Sequence, residues 1–361
     1  FTGDIMCLRG QQHSAAKGNS YDFWPSYSLV SRLYSEADFV CGNLETLLSE
    51  SNPLTKTQLN AADGNPQCNG PVELLRALKK AGYDMLVTAN NHSCDWGGTG
   101  INETKKHLDS YGFANPGTSY SPDFLSTQVS DTSEDTLEHT ASDSSRYVIF
   151  EVNSINIAVL SYTHLINQRG SMPEDTLTRM VNLYDSGKMR QDIADAKAHG
   201  AEFVVVYCHW GTENTQNLNY AQLNDSRDIA EAGADLIIGS HPHCLQSCEF
   251  LDTSDGRSVL CMYSMGNFCS SMASDINKDT IILRIELSGE RTNSSTDAAD
   301  SCIRLTGASY IPCHVTTHNS FSWVVVPVDP ALNGGITGST LSEAKKRIDA
   351  VMNGVIPVME P

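Results

Sequence analysis

Between Asp38 and Ile238 the chain alternates short apolar runs with helical patterns, and this alternation constrains the fold more than any other feature. Asp38-Phe39-Val40-Cys41-Gly42 reads as a strand. A helix is expected from Pro71 to Ala81, with Pro at its first position and Gly82 just past its end. A strand over Tyr83–Ala89 and a helix over Gly100–Tyr111 repeat the unit. Strands at Asn156–Tyr162, Glu202–Tyr207 and Ala234–Ile238 follow, separated by helices over Ser186–His199 and Ala221–Ala232. Such β-α alternation predicts a largely parallel, helix-covered sheet.

After Gly239 the texture changes. Val259–Ser264, Thr280–Leu287 and Trp323–Val328 read as strands without helices between them, and Leu341–Val351 as a closing helix. These predict an antiparallel or mixed second sheet, hence an α/β fold of two sheets flanked by helices. Ser126–Ser145 and Ser288–Ser301 are rich in Ser, Thr, Asp and Glu and are expected to be solvent-exposed excursions. Residues 1–290 are read as the main domain, with 291–361 adding strands and a helix that complete it.

Five polar clusters fall where these strands are expected to end, the edge at which open α/β sheets bind ligands. They are Asp4 in Gly3-Asp4-Ile5-Met6, Asn43-Leu44-Glu45, Asn90-Asn91-His92 leading into Asp95, His209-Trp210-Gly211, and His241-Pro242-His243. A carboxylate can bridge two cations, neutral imidazoles suit Mn, Zn or Fe, and an Asn carbonyl adds a neutral oxygen. The expected ligands of one or two divalent ions are therefore Asp4, Asn43, Glu45, Asn91, His209, His241 and His243. His92, oriented by Asp95, is the expected catalytic group acting on a leaving group or on developing charge. Each cluster alone is an ordinary turn or capping sequence. Only their joint placement points to a site.

With 43 acidic against 24 basic residues, the net charge of −19 argues against nucleic acid as a partner, and no Lys/Arg block offers a local exception. No apolar run reaches the length of a membrane span. Cys7, Cys41, Cys208 and Cys269 sit inside expected strands and are read as small apolar residues. In an oxidising compartment Cys244 with Cys248, or Cys302 with Cys313, are the pairs open to disulfide formation.

On these residues the chain resembles the CapA-type bacterial capsule (poly-γ-glutamate) biosynthesis family. The resemblance runs through Gly3-Asp4-Ile5-Met6, Gly42-Asn43-Leu44-Glu45, Ala89 to Gly97, His209 to Glu213, Gly233 to His243 with Gln246, and Tyr263 to Phe268. That family resembles the calcineurin-like metallophosphoesterases, which implies a four-layer α/β/β/α sandwich. It also implies a place on the outer face of the bacterial cell membrane, with an anchor ahead of residue 1. The implied activity is metal-dependent hydrolysis of a phosphoester or of an anionic polymer, beside membrane-bound polymer synthesis machinery. The alternative is a non-catalytic accessory that holds or guides the capsule polymer.

Two departures from the superfamily pattern matter. Its first motif is Asp-x-His, whereas Asp4 is followed by Ile5-Met6. Its second supplies a bridging Asp, for which Asn43 and Glu45 are the nearest donors here. The site is thus one ligand short, which implies a single metal, weak binding of two, or a substitute ligand such as Glu213.

Overall fold

The computed structural model describes residues 1–55, 66–124, 146–289 and 303–359. Two sheets form its centre. The first has four parallel strands in the order Asn267–Cys269, Asp4–Ile5, Cys41–Leu44, Met85–Val87. The second has six, in the order Cys248–Asp252, Ser258–Met262, Leu236–Ser240, Phe203–His209, Ile155–Thr163, Tyr147–Val152. Its four middle strands run parallel, and an antiparallel strand closes each edge.

Side-chain alternation along the strands explains the layering, because successive residues face opposite sides of a sheet. Val159, Val205, Tyr207, Ile238 and Met262 point inward and pack against Cys41, Met85 and Val87 of the first sheet. Their neighbours Ala158, Leu160, Val204, Val206 and Ile237 point outward, against Met189, Ile193 and Ala196 of the Ser186–Ala198 helix and Ile229 and Ala230 of the Tyr220–Glu231 helix. On the far side Ile5, Leu44, Leu86 and Phe268 pack against Leu74, Leu75 and Leu78 of the Glu73–Ala81 helix. Helix, sheet, sheet and helix form four layers, as expected of an α/β/β/α sandwich. Gly82 ends the Glu73–Ala81 helix in the left-handed conformation (φ 111°), the role its position in the sequence predicts.

The division of strands differs from expectation. Ser258–Met262 joins the second sheet, beside Leu236–Ser240. Asp279–Ser288 and Phe321–Pro327 instead flank a long strand, Arg304–His318, in a separate antiparallel sheet. This sheet meets the first through a bridge between Thr2 and Ile282. The Ser339–Met352 helix packs on it, with Arg347 donating two hydrogen bonds to buried Asp279 (2.6 and 2.9 Å). The expected excursion Ser126–Ser145, and most of Ser288–Ser301, lie outside the described residues.

Cys244 and Cys248 are free and buried, as is Cys313, so the pairing of Cys244 with Cys248 that the sequence left open is not made. Cys302 lies outside the described residues. The other strand cysteines, Cys7, Cys41, Cys208 and Cys269, are buried, as expected of small apolar residues. No helix among the described residues is long and apolar enough to cross a membrane.

Candidate metal centre

The carboxyl ends of both central sheets converge on one buried polar cluster. The first sheet contributes Asp4 and Asn43, which are register partners, with Glu45 just past the strand end and Asn90–His92 following Met85–Val87. The second contributes His209, its strand's last residue, and His241 and His243 beyond Ser240. The close approach at Gly3 seats Asp4. A Cβ there would lie 2.0 Å from the Gly266 carbonyl oxygen, the same oxygen that accepts from the Asp4 N–H at 2.9 Å.

The His241-Pro242-His243 turn is strained. His241 (φ 97°) and His243 (φ 57°) both occupy left-handed backbone, which non-glycine residues seldom adopt and which concentrates at functional sites. The turn is fastened to the other sheet by His241 N–H donating to Asp4 Oδ2 at 3.1 Å. The two imidazoles diverge, with ring centroids 6.0 Å apart.

Two groups of donors result. Glu45, His209 and His241 offer ligand atoms within 4.8 Å of one another, and so do Asp4, Glu45 and His243. Glu45 belongs to both. Its Oε1 lies 3.5 Å from His209 Nε2 and 3.8 Å from His243 Nε2. Neither Glu45 oxygen has a hydrogen-bond partner among the described residues, although the side chain is wholly buried, and the same holds for His241 Nδ1. Buried polar atoms left in this way cost free energy unless something else satisfies them.

The asparagines tie the ligands together. Asn43 Nδ2 donates to Asp4 Oδ1 at 2.7 Å and its Oδ1 accepts from Asn90 at 3.2 Å, while Asn91 Oδ1 lies 2.9 Å from His209 Nε2. Glu213 is exposed and belongs to neither donor group. His164 abuts the cluster from behind, its N–H donating to the His209 carbonyl at 3.0 Å, with its side chain stacked on Tyr184. An apolar cleft of about 330 Å³ opens between Phe39, Phe150 and Phe203 and contains none of these donors.

The electrostatics fit a cation. Burial raises the Asp4 carboxyl above its ordinary range. Burial, and then the neighbouring Asp4, raise Glu45 well above its own. Burial and the adjacent imidazoles hold His209 well below the usual histidine value and push His241 down to about 3. Two carboxyls that cannot easily ionise alone, beside two imidazoles held neutral, one of them with its Nδ1 unpartnered among the described residues, form a donor set that a divalent cation would both satisfy and charge-balance.

A third buried group adjoins this one. His92 Nδ1 lies 2.6 Å from Asp95 Oδ2, and His92 Nε2 lies 3.8 Å from Cys68 Sγ. Asp95 Oδ2 also accepts from the Cys68 N–H at 2.6 Å. Burial alone would lower the His92 pKa, but Cys68 and Asp95 outweigh it and raise the value well above normal. Cys68 was not among the residues the sequence singled out. Nor were Ser240, whose Oγ lies 2.9 Å from His209 Nδ1, and Asn267, whose Oδ1 lies 3.0 Å from His243 Nδ1. Ser240 and Asn267 do sit in the Gly233–His243 and Tyr263–Phe268 stretches that carry the family resemblance.

Residues 1–125 and 137–272 match the model of the bacterial capsule synthesis protein PGA_cap family. The chain belongs to that family. It is 27% identical to the PGA biosynthesis protein CapA of Bacillus subtilis (strain 168) over 295 residues, 80% of this chain and 67% of the relative. It is also 27% identical to the capsule biosynthesis protein CapA of Bacillus anthracis over 299 residues, 79% of this chain and 62% of the relative. The chain thus spans about two-thirds of the PGA_cap relatives it matches. Among solved structures it is similar to a 5'-nucleotidase precursor from Thermus thermophilus (TM-score 0.46, 12% identity, covering 90% of this chain and 52% of that one). It is also similar to the calcineurin-like phosphoesterase YfkN of Bacillus subtilis (TM-score 0.36, 16% identity, covering 79% of this chain and 73% of that one).

Proposed function

We propose that the chain is a capsule-synthesis protein of the CapA type working as a metal-dependent hydrolase on a phosphoester or an anionic polymer such as poly-γ-glutamate. The observation that carries this reading is Glu45, shared by two donor groups with both oxygens buried and partnerless among the described residues. The ligands would be Asp4, Glu45, His209, His241 and His243, with Asn43 and Asn91 completing the shell, around one or two ions of Mn, Zn or Fe. Glu45 would take the bridging position that the superfamily gives to an Asp. Glu213, exposed, is not needed in this scheme.

Bound there, a divalent cation supplies Lewis acidity and a water activated for attack at neutral pH. The chain's own contribution to proton transfer is His92. Asp95 fixes its Nδ1, leaving Nε2 as the atom that exchanges a proton with a leaving group. A protein that only held a polymer would need ligands but no such dyad, so the His92–Asp95 pair favours turnover over the accessory role. Family membership and the names of the relatives support a role at the cell envelope. We assign the chain to the outer face of the membrane, close to the polymer synthesis machinery, with residues 1–290 and 291–361 acting as one domain.

The test is elemental analysis of protein purified without chelator, wild type beside His241→Ala, followed by assays on phosphoesters and γ-glutamyl polymers. About one or two equivalents of Mn, Zn or Fe, falling in the variant, together with turnover, is the expected result. No metal in either protein after reconstitution with those ions would overturn the reading.

A further inference from the structure

We infer that Cys68, His92 and Asp95 form a second, sulfur-containing site for a soft divalent cation of the zinc class, distinct from the Glu45-centred donors. The two sites share no residue. One ligand atom from each of the three side chains lies within 4.8 Å of the others. All three are almost completely buried, with relative exposures of 0% for Cys68, 3% for His92 and 1% for Asp95.

The spacing fits a shared metal. Zinc–sulfur and zinc–nitrogen bonds of about 2.3 and 2.0–2.1 Å, meeting near the tetrahedral angle, hold sulfur and nitrogen about 3.5 Å apart. Cys68 Sγ and His92 Nε2 are 3.8 Å apart. The outer partner is also in place. Asp95 Oδ2, 2.6 Å from Nδ1, holds a ring proton on that nitrogen and turns Nε2 toward the sulfur, the arrangement that ligating histidines use. With Oδ2 on Nδ1, Asp95 serves this site as the outer partner, and Cys68 Sγ and His92 Nε2 are the ligand atoms that face each other. A thiolate donor selects zinc-class ions over Mg or Mn. The other described cysteines belong to no donor group.

Binding releases to solvent the one proton that Cys68 Sγ and His92 Nε2 hold between them, forms S–metal and N–metal bonds, and moves no electrons between partners. Occupancy also has a consequence for the reading above. A cation on Nε2 withdraws the nitrogen assigned to the leaving group, so zinc in excess would inhibit the hydrolase while the Glu45-centred donors remain filled.

The test uses cobalt(II) alone as the probe, titrated into the metal-free full chain and read by absorption. The wild type is expected to show a thiolate-to-cobalt charge-transfer band in the near ultraviolet. The band should vanish in both Cys68→Ser and Cys68→Ala, with binding lower by about one equivalent, and persist in His241→Ala. No band in the wild type at saturating cobalt, or a band that survives both Cys68 variants, would overturn the inference. The cobalt equivalents lost in His241→Ala report separately on the Glu45-centred donors, so failure of one reading is distinguishable from failure of the other.

Discussion

His92 and Asp95 stand three residues apart in one turn, and the 2.6 Å contact between Nδ1 and Oδ2 is sealed from solvent on both sides. The carboxylate fixes both the orientation of the ring and the nitrogen that carries its proton. Asp95→Asn can keep the shape but not the acceptor, because its amide can offer a donor to the same nitrogen. Turnover is expected to fall roughly 10²-fold, with metal bound by the Glu45-centred donors unchanged. Kinetics paired with elemental analysis check this, and nitrogen NMR of the His92 ring should report an altered tautomer.

Because Glu45 alone serves both donor groups, its removal should act differently from loss of any single histidine. Glu45→Ala is expected to abolish metal retention after dialysis. His243→Ala should spare what Glu45 and His209 hold with His241. In chelator, Glu45→Ala should be as stable as wild type or more stable by about 1 kcal/mol, since it removes two buried oxygens that lack partners among the described residues. Retention measured by mass spectrometry and urea melts would decide; equal metal loss in the two variants counts against a shared ligand.

Gly3→Ala tests the seat of Asp4. The added Cβ would meet backbone, the Gly266 and Met265 carbonyl oxygens at 2.0 and 3.1 Å, so no rotamer change relieves it. The expected cost is about 3 kcal/mol, read as a lower denaturation midpoint, with metal affinity lost in whatever fraction remains folded.

A pH effect arises at Lys105, outside the donor groups. Lys105 is buried on the Gly97–Ser110 helix and donates to Asn115 Oδ1, and burial lowers its pKa from 10.5 to about 8. Between those values the unfolded chain holds the proton and the folded chain does not, so stability rises with pH through this window. Below pH 8 the full penalty applies, about 3 kcal/mol at the usual conversion. Lys105→Met should therefore be more stable than wild type at pH 7, with an advantage that shrinks from pH 8 to about 10.5. Chemical melts at several pH values check it; a difference that stays flat with pH would contradict it.

Much of this was legible because several central strands are apolar runs that end in a polar donor or lead into one, as Phe203–His209 shows. The helices were legible from caps and periodicity, as at Gly82. What escaped detection depends on distant contacts. Cys68 sits in a polar loop with no periodic pattern, and only the fold brings it to His92. The Arg304–His318 strand was obscured by Pro312, which argues against a central strand. Its pairing with Phe321–Pro327 begins at Cys313, so the missing N–H falls just past the end of that ladder. The same region shows why the late strands could not be assigned to a sheet. Ser258–Met262 and Asp279–Ser288 look alike as apolar runs, and only their partners tell them apart.

The hydrogen bond from His241 to Asp4 spans 237 residues of sequence. On a ribosome the amino-terminal ligands therefore emerge long before the histidines they must meet. Until most of the chain has been made and both sheets have docked, no segment holds enough of the Glu45-centred donors to retain an ion. Metal capture at that centre would then be a closing event in the protein's maturation. The ion acquired there would reflect the supply where folding finishes, not where translation begins.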